Sequence, residues 1–251
     1  TVATSGTQAA NIEIGGTDQY VGGTFVFTHD TSSSTVQSIT ITETGTVDAQ
    51  ADLDNIRLFW EYDSVAPLDC ASVAYGGTES LYGAADTDGF SSANGTATFS
   101  GGLSVSTTTA LCVYPVLDVL ATATNGDTLD IEITSPNPHV VISRGVVAPD
   151  SSVRALGGST TLQDDVLTQT HFHWRNDDDI ESTATSATGG TEDTPYASYP
   201  VIGNKRLRFQ VSNEGAITSP ATNYRIEYGE KISTCAAAAW IDVGAAGGDW
   251  D

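Results

Sequence analysis

His171 and His173 are the residues whose type and spacing most suggest chemistry. Side chains alternate along an extended strand, so both imidazoles would share one face, a spacing used by strand-borne zinc sites. A third ligand would have to come from Asp177, Asp178, His29 or His139, and the spacing selects none of them. The competing reading is the polar outer face of an edge strand. Just downstream, Asn176-Asp177-Asp178-Asp179-Ile180-Glu181 gathers hard oxygen donors that suit calcium, with Asp177, Asp178, Asp179 and Glu181 as the ligands. Asp86 and Asp88, ahead of Gly89, form a second such group. Neither completes a twelve-residue EF-hand loop, and aspartates in turns also bond their own backbone. Calcium is the one cofactor these runs suggest.

Other polar features have simpler uses. Asn94-Gly95-Thr96 has the form of a glycosylation sequon in a turn-rich stretch, which makes attached glycans an expectation. Of the three cysteines, Cys70 and Cys112 are expected to pair inside one domain, leaving Cys235 over. Arg206 and Arg208 alternate on one strand candidate and Arg225 lies on the next, with Lys205 and Lys231 at their ends. That basic stripe either pairs with Glu227 and the acid run or meets an acidic surface on another copy. No Gly-x-Ser-x-Gly elbow, phosphate-binding glycine loop, dinucleotide fingerprint or His-Glu-x-x-His occurs, so the reading is of a protein that is not an enzyme.

The elements that would carry these residues are strands. Period-two alternation marks Asn11 to Ile14, Gln19 to Thr28 with Phe25 and Phe27 inward, and Val36 to Glu43 with Ile39 and Ile41 inward. Asn55 to Tyr62, Thr96 to Ser106, Ala110 to Val119, Thr128 to Thr134 and His139 to Ser143 follow, enough strands to close a sandwich. After Gly157-Gly158-Ser159 a second series begins: Thr168 to Arg175 with Phe172 and Trp174 on one face, Tyr196 to Ile202, Arg206 to Ser212 with Leu207, Phe209 and Val211 inward, Asn223 to Tyr228 and Ala238 to Val243. The expected fold is all-β, two tandem Ig-like β-sandwiches. Residues 1–9 are expected as a flexible or donated arm, 10–156 as the first sandwich, 157–167 as a linker, and 168–251 as a second sandwich. Five strands leave the second short, so a neighbour or downstream residues are expected to complete it.

The 251 residues hold 32 acids against 9 bases, a net charge of −23. Residues 1–167 carry 20 acids and 3 bases, a net of −17. Such a field repels phosphate and opposes binding to nucleic acid or an anionic membrane surface. No apolar run approaches the roughly 20 residues of a membrane span, so the chain is not expected to be membrane-embedded.

The blocks His171-Phe-His-Trp-Arg-Asn-Asp-Asp178 and Arg206-Leu-Arg-Phe-Gln-Val-Ser-Asn-Glu-Gly215 through Asn223-Tyr-Arg-Ile-Glu-Tyr228 make the chain similar to large, mostly uncharacterised multidomain surface proteins of uncultivated bacteria. These carry a His-x-His-Trp-Arg-Asn-Asp-Asp block followed by a β-sandwich. Leu53 to Leu58 and Asp86 to Phe90 also resemble modules of such proteins. The chain departs from the pattern at Asp179-Ile180, where Gly is expected. The resemblance implies an extracellular or cell-surface structural role, with a sandwich continuing past residue 251, and no reaction. Together these readings lead to a structural subunit of an extracellular filament or surface layer. Copies would join head to tail by strand donation or sandwich completion, through Thr1, Val2 and Ala3 of the arm and through Lys205, Arg206, Arg208 and Arg225. The alternative is an adhesin or carbohydrate-binding module using Tyr75, Tyr82, Phe90 or Trp250.

Overall fold

A computed structural model describes residues 1–180, 182–197, 203–215, 217–219, 223–230 and 233–243. Its strands run in chain order as β1 (Val2–Gln8), β2 (Asn11–Glu13), β3 (Gln19–Tyr20), β4 (Gly22–Phe27), β5 (Ser33–Glu43), β6 (Leu53–Asp63), β7 (Ser80–Leu81), β8 (Thr96–Ser106) and β9 (Ala110–Val119). There follow β10 (Thr128–Leu129), β11 (Ile131–Ile133), β12 (Val140–Ile142), β13 (Arg154–Ala155), β14 (Thr160–Gln163), β15 (Leu167–Asn176), β16 (Lys205–Asn213), β17 (Glu227–Tyr228) and β18 (Ile241–Asp242). The protein is all-β, as its alternating apolar pattern requires. It divides into two compact units, Thr1–Ile217 and Thr218–Asp251.

In the first unit two sheets share one core. One has the order β1-β4-β9-β6-β7 with β3 added on β9, and the other β12-β5-β11-β13 with β8 added on β5. Phe25 and Phe27 of β4, Leu58 of β6 and Leu111 and Val113 of β9 meet Ile39 and Ile41 of β5, Phe99 of β8 and Ile131 and Ile133 of β11. Each is essentially excluded from water, and burial of one such side chain stabilises by roughly 1.5–3 kcal/mol. Tyr82 crosses this core and donates its hydroxyl to the Val36 carbonyl at 3.0 Å.

Strands β4 and β9 are buried on both faces. Their second face lies under the loop between β6 and β7, where Cys70 joins Cys112 of β9 in a disulfide, the pair expected within this domain. Around that bond Tyr20, Phe59, Tyr75 and Tyr114 form a ring cluster, Tyr20 and Tyr75 having centroids 4.7 Å apart. A strand covered on both sides reads as a continuous apolar run, which is why Ala110–Val119 shows no clean alternation.

Three expectations are corrected here. Residues 1–9 are not a loose arm: Val2–Ser5 pair antiparallel with Phe27–Thr24, and Val2 is buried in the core. The small side chains that suggest flexibility are those that fit against β4. The stretch 157–167 is not a bare linker, since β14 runs parallel to β2 and antiparallel to β10, with Leu162 fully buried. Its four-residue alternation is too short to stand out beside Gly157-Gly158. The division of the chain therefore falls after Ile217, with β15 and β16 grouped with the first unit.

In the second unit, β17 pairs with β18, Glu227 opposite Asp242 and Tyr228 opposite Ile241. Tyr224, Ile226, Trp240, Ile241 and Val243 are exposed. Of the expected strand Tyr196 to Ile202, residues 198–202 lie outside the described residues, as do Lys231 and Trp250. Cys235 opens a short 3-10 helix, Cys235–Ala237.

Candidate functional site

Strands β15 and β16 form a two-stranded antiparallel sheet running from Leu167 opposite Asn213 to Asn176 opposite Lys205, with one irregularity between Gln169 and His171. Valine, phenylalanine, tryptophan and threonine suit a pleated surface, and the alternation fixes which residues share a face. Phe172 lies opposite Phe209 and Trp174 opposite Leu207, with Val211 further along. His171, His173 and Arg175 share the other face with Gln210, Arg208 and Arg206.

The segment following β15 folds back along that strand's outer edge. Asn176 donates its amide to the Thr185 carbonyl at 2.8 Å, and the amides of Ala187 and Asp193 donate to the carbonyls of Trp174 (2.9 Å) and Phe172 (2.8 Å). The same segment bonds to three side chains of the polar face. His171 Nδ1 meets Asp193 at 2.6 Å, His173 Nε2 meets Ser186 Oγ at 3.0 Å, and the Arg175 guanidinium donates to the Ala184 carbonyl.

This departs from the expected burial, most of all on β16. Phe172, Trp174, Leu207, Phe209 and Val211 do not line an interior: Phe209 and Val211 are 37% and 41% exposed, whereas His173 is buried. The physical reason is that a two-stranded sheet can be covered only by what the chain lays over it: here the returning segment buries His173, while His171, Arg208 and Gln210 stay exposed and Phe172, Trp174 and Leu207 are half-buried. Among the described residues, Tyr196 makes the one ring contact to the apolar face, its centroid 6.0 Å from that of Trp174. Strand β16 pairs with β15 alone, so its far edge is open along nine residues among those described.

The predicted ligands do not converge. His171 and His173 are held by different partners, Asp193 and Ser186. Asp177 is paired with Arg206, whose Nε donates to it at 2.7 Å, and Asp178 accepts the Thr185 amide at 3.0 Å and its hydroxyl. Asp179 accepts the Ile180 amide, and Glu181 lies outside the described residues. Asp86 Oδ1 accepts the Asp88 amide at 3.2 Å in an Asx turn. No group of three or more histidine, cysteine or acidic side chains is gathered as a metal set among the described residues. Asn94 is exposed and donates its amide to the Gly45 carbonyl at 3.0 Å.

The basic stripe is also interrupted. Lys205 donates to Asn176 Oδ1 at 2.6 Å and Arg206 is paired with Asp177, so the acid run neutralises part of it locally. Arg208 is exposed, with no ionic partner among the described residues. Arg225 is not on a strand beside β16. It precedes β17 in the second unit and is paired with Glu227 at 2.8 Å.

Hydrogen bonding and charge from Asp193 raise the His171 pKa, and the His171 hydrogen bond and the Phe172 amide lower that of Asp193. A raised histidine holds its contribution below its ordinary value of 6.5 and loses it as pH rises through the raised value; a lowered aspartate loses its contribution as pH falls below 3.8. The loop is therefore tied to β15 between those limits. Titration of the His171 ring by NMR should show Asp193→Asn returning its midpoint toward the ordinary value. An unmoved midpoint would break the assignment of Asp193 as its partner.

No protein-family model matches this sequence, and no curated protein is significantly similar to it. Sequence reasoning missed the buried acids Asp63 and Glu43, both fully excluded from solvent. No local signal marks them, since each ends a long strand and is followed by turn residues, a place that ordinarily faces solvent.

Proposed function

We propose that this chain is a structural subunit of an extracellular filament or surface layer, in which the β15–β16 sheet of one copy is completed by another. The observation that carries the reading is the exposure of Phe209 and Val211 on the apolar face of that sheet, beside an edge of β16 that pairs with no further strand among the described residues. An open edge with an apolar flank is a template for strand addition, and monomeric proteins normally blunt such edges. The cluster of small residues at 1–9 is not the donated strand in this scheme, because β1 already serves its own sheet. The disulfide fits an oxidising compartment, and no helix among the described residues is long and apolar enough to cross a membrane. The adhesin reading loses two of its stacking residues, since Tyr82 and Phe90 are core side chains, and Tyr75 is engaged in the ring cluster.

Light scattering across a concentration series, with negative-stain microscopy, tests the proposal. The native chain should assemble into regular polymers, and Phe209→Lys should weaken assembly by at least about tenfold in concentration, as expected for an aromatic anchor. A native chain that stays monomeric at high concentration, or a Phe209→Lys variant that assembles equally well, would defeat it.

A further inference from the structure

We propose that Glu43 is a proton-operated latch: neutral, it closes the corner where β5, the 44–47 turn, the β10–β11 junction and β1 meet, and loss of its proton opens that corner. Glu43 ends β5, opposite Ile131 of β11, and is fully buried. Its Oε1 accepts the amides of Gly45 at 2.5 Å and Asp130 at 3.1 Å. Its Oε2 is buried with no hydrogen-bond partner among the described residues. An ionised carboxylate with one oxygen unsolvated is costly, and the neutral acid removes that cost by carrying the proton.

The corner is tightly made. A Cβ on Gly45 would stand 2.1 Å from the Thr128 carbonyl oxygen, so only glycine lets the turn close against β10. The amides of Thr46 and Val47 both donate to that carbonyl, at 2.9 and 3.1 Å. From β1, Gln8 donates to Asp130 Oδ1 at 2.9 Å and accepts the Ile131 amide at 3.1 Å, so the acid pair is joined to the first strand. Opening at Glu43 would thus loosen the tie between the two sheets at this end.

The groups around Glu43 do not supply a counter-charge. Asp130 flanks it from the β10–β11 junction, Asp127 holds Thr46 at 3.0 Å on the same turn, and Glu132 projects from β11. Arg154 of β13 stands opposite Ile133, and the segment before β8 contributes Asn94 and the Gly95 carbonyl, both neutral. Burial first, then the Asp130 charge, pushes the Glu43 carboxyl up to about 7, against the pull of the Asp130, Gly45 and Thr44 amides. With a raised pKa, the stabilising contribution is complete below the ordinary carboxyl value of 4.5 and disappears as pH rises through about 7.

Hydrogen exchange of the native chain, corrected for intrinsic rates, tests the latch. Amides of 44–47 and 127–131 should lose about tenfold in protection between pH 6 and pH 8, while those of β9 stay level. Glu43→Gln, which keeps the shape of the neutral acid, should abolish the difference. A flat native profile, or the same loss in Glu43→Gln, overturns the proposal. Should Glu43→Gln fail to fold, Asp130→Asn decides: the Asp130 charge adds to the burial that raises Glu43, so its removal must move the opening transition to lower pH, and an unmoved or upward-shifted transition overturns the latch.

Discussion

Replacing Cys70 and Cys112 together with serine should lower the stability of the sandwich by about 4 kcal/mol, the chain-entropy value for a cross-link spanning 42 residues. For a chain of this size that corresponds to a fall on the order of 10 °C in midpoint. The bond also holds the β6–β7 loop over Val26, Ala110 and Tyr114. Tyr114 sits beneath that cover with its hydroxyl donated to Glu61 at 2.7 Å, and burial followed by Glu61 raises its pKa. Urea unfolding with and without reductant measures the change. Equal midpoints would mean that the loop is held by its side chains alone.

Asp63→Ala should cost about 3–5 kcal/mol, since it strands three donors that converge on one buried carboxylate. Oδ1 accepts the Val65 amide at 2.8 Å and the Ser72 hydroxyl at 2.5 Å, and Oδ2 accepts the Cys70 amide at 3.0 Å. Asp63 therefore positions the start of the same loop that the disulfide closes. Its pKa is lowered, chiefly by the Ser72 hydroxyl and then the Val65 amide, with burial opposing. A lowered carboxyl contributes above its ordinary value of 3.8 and loses that contribution as pH falls through the folded value. Asp63→Asn should accordingly flatten the acid limb of the stability profile, and it should also lower stability at neutral pH, because its amide nitrogen would face a donor that the carboxylate accepts. Because the residue and the disulfide act on one loop, the triple variant should lose less than the two effects added together. Strict additivity in unfolding experiments would show that the two act independently.

The acid and neutral limits act in opposite directions. Asp63 favours folding above the usual carboxylate range, whereas Glu43 withdraws support as pH rises through about 7. Both acids were passed over in the sequence because a strand-terminal Asp or Glu followed by turn residues ordinarily faces solvent. Only the turn of the chain back onto them, residues 65–72 on Asp63 and Gly45 together with the distant Asp130 on Glu43, puts them inside.

The all-β class, most strands of the sandwich and the Cys70–Cys112 pair were legible from the chain alone. Alternation with period two is a local property, and Phe25, Phe27, Ile39, Ile41, Ile131 and Ile133 carry it without ambiguity. Alternation names two faces but does not say which is covered. At β15 the chain buries His173 under its own returning segment and leaves Phe209 and Val211 of β16 exposed, a choice made by a loop rather than by the strands. Likewise the residues of β1 and β14 are small or polar, and their membership of a sheet depends on partners that lie far along the chain, Phe27 to Thr24 for one and Asn11 to Glu13 for the other. Local pattern thus determined what can be a strand. Long-range pairing decided which strands are satisfied, because backbone donors and apolar faces find partners only in three dimensions.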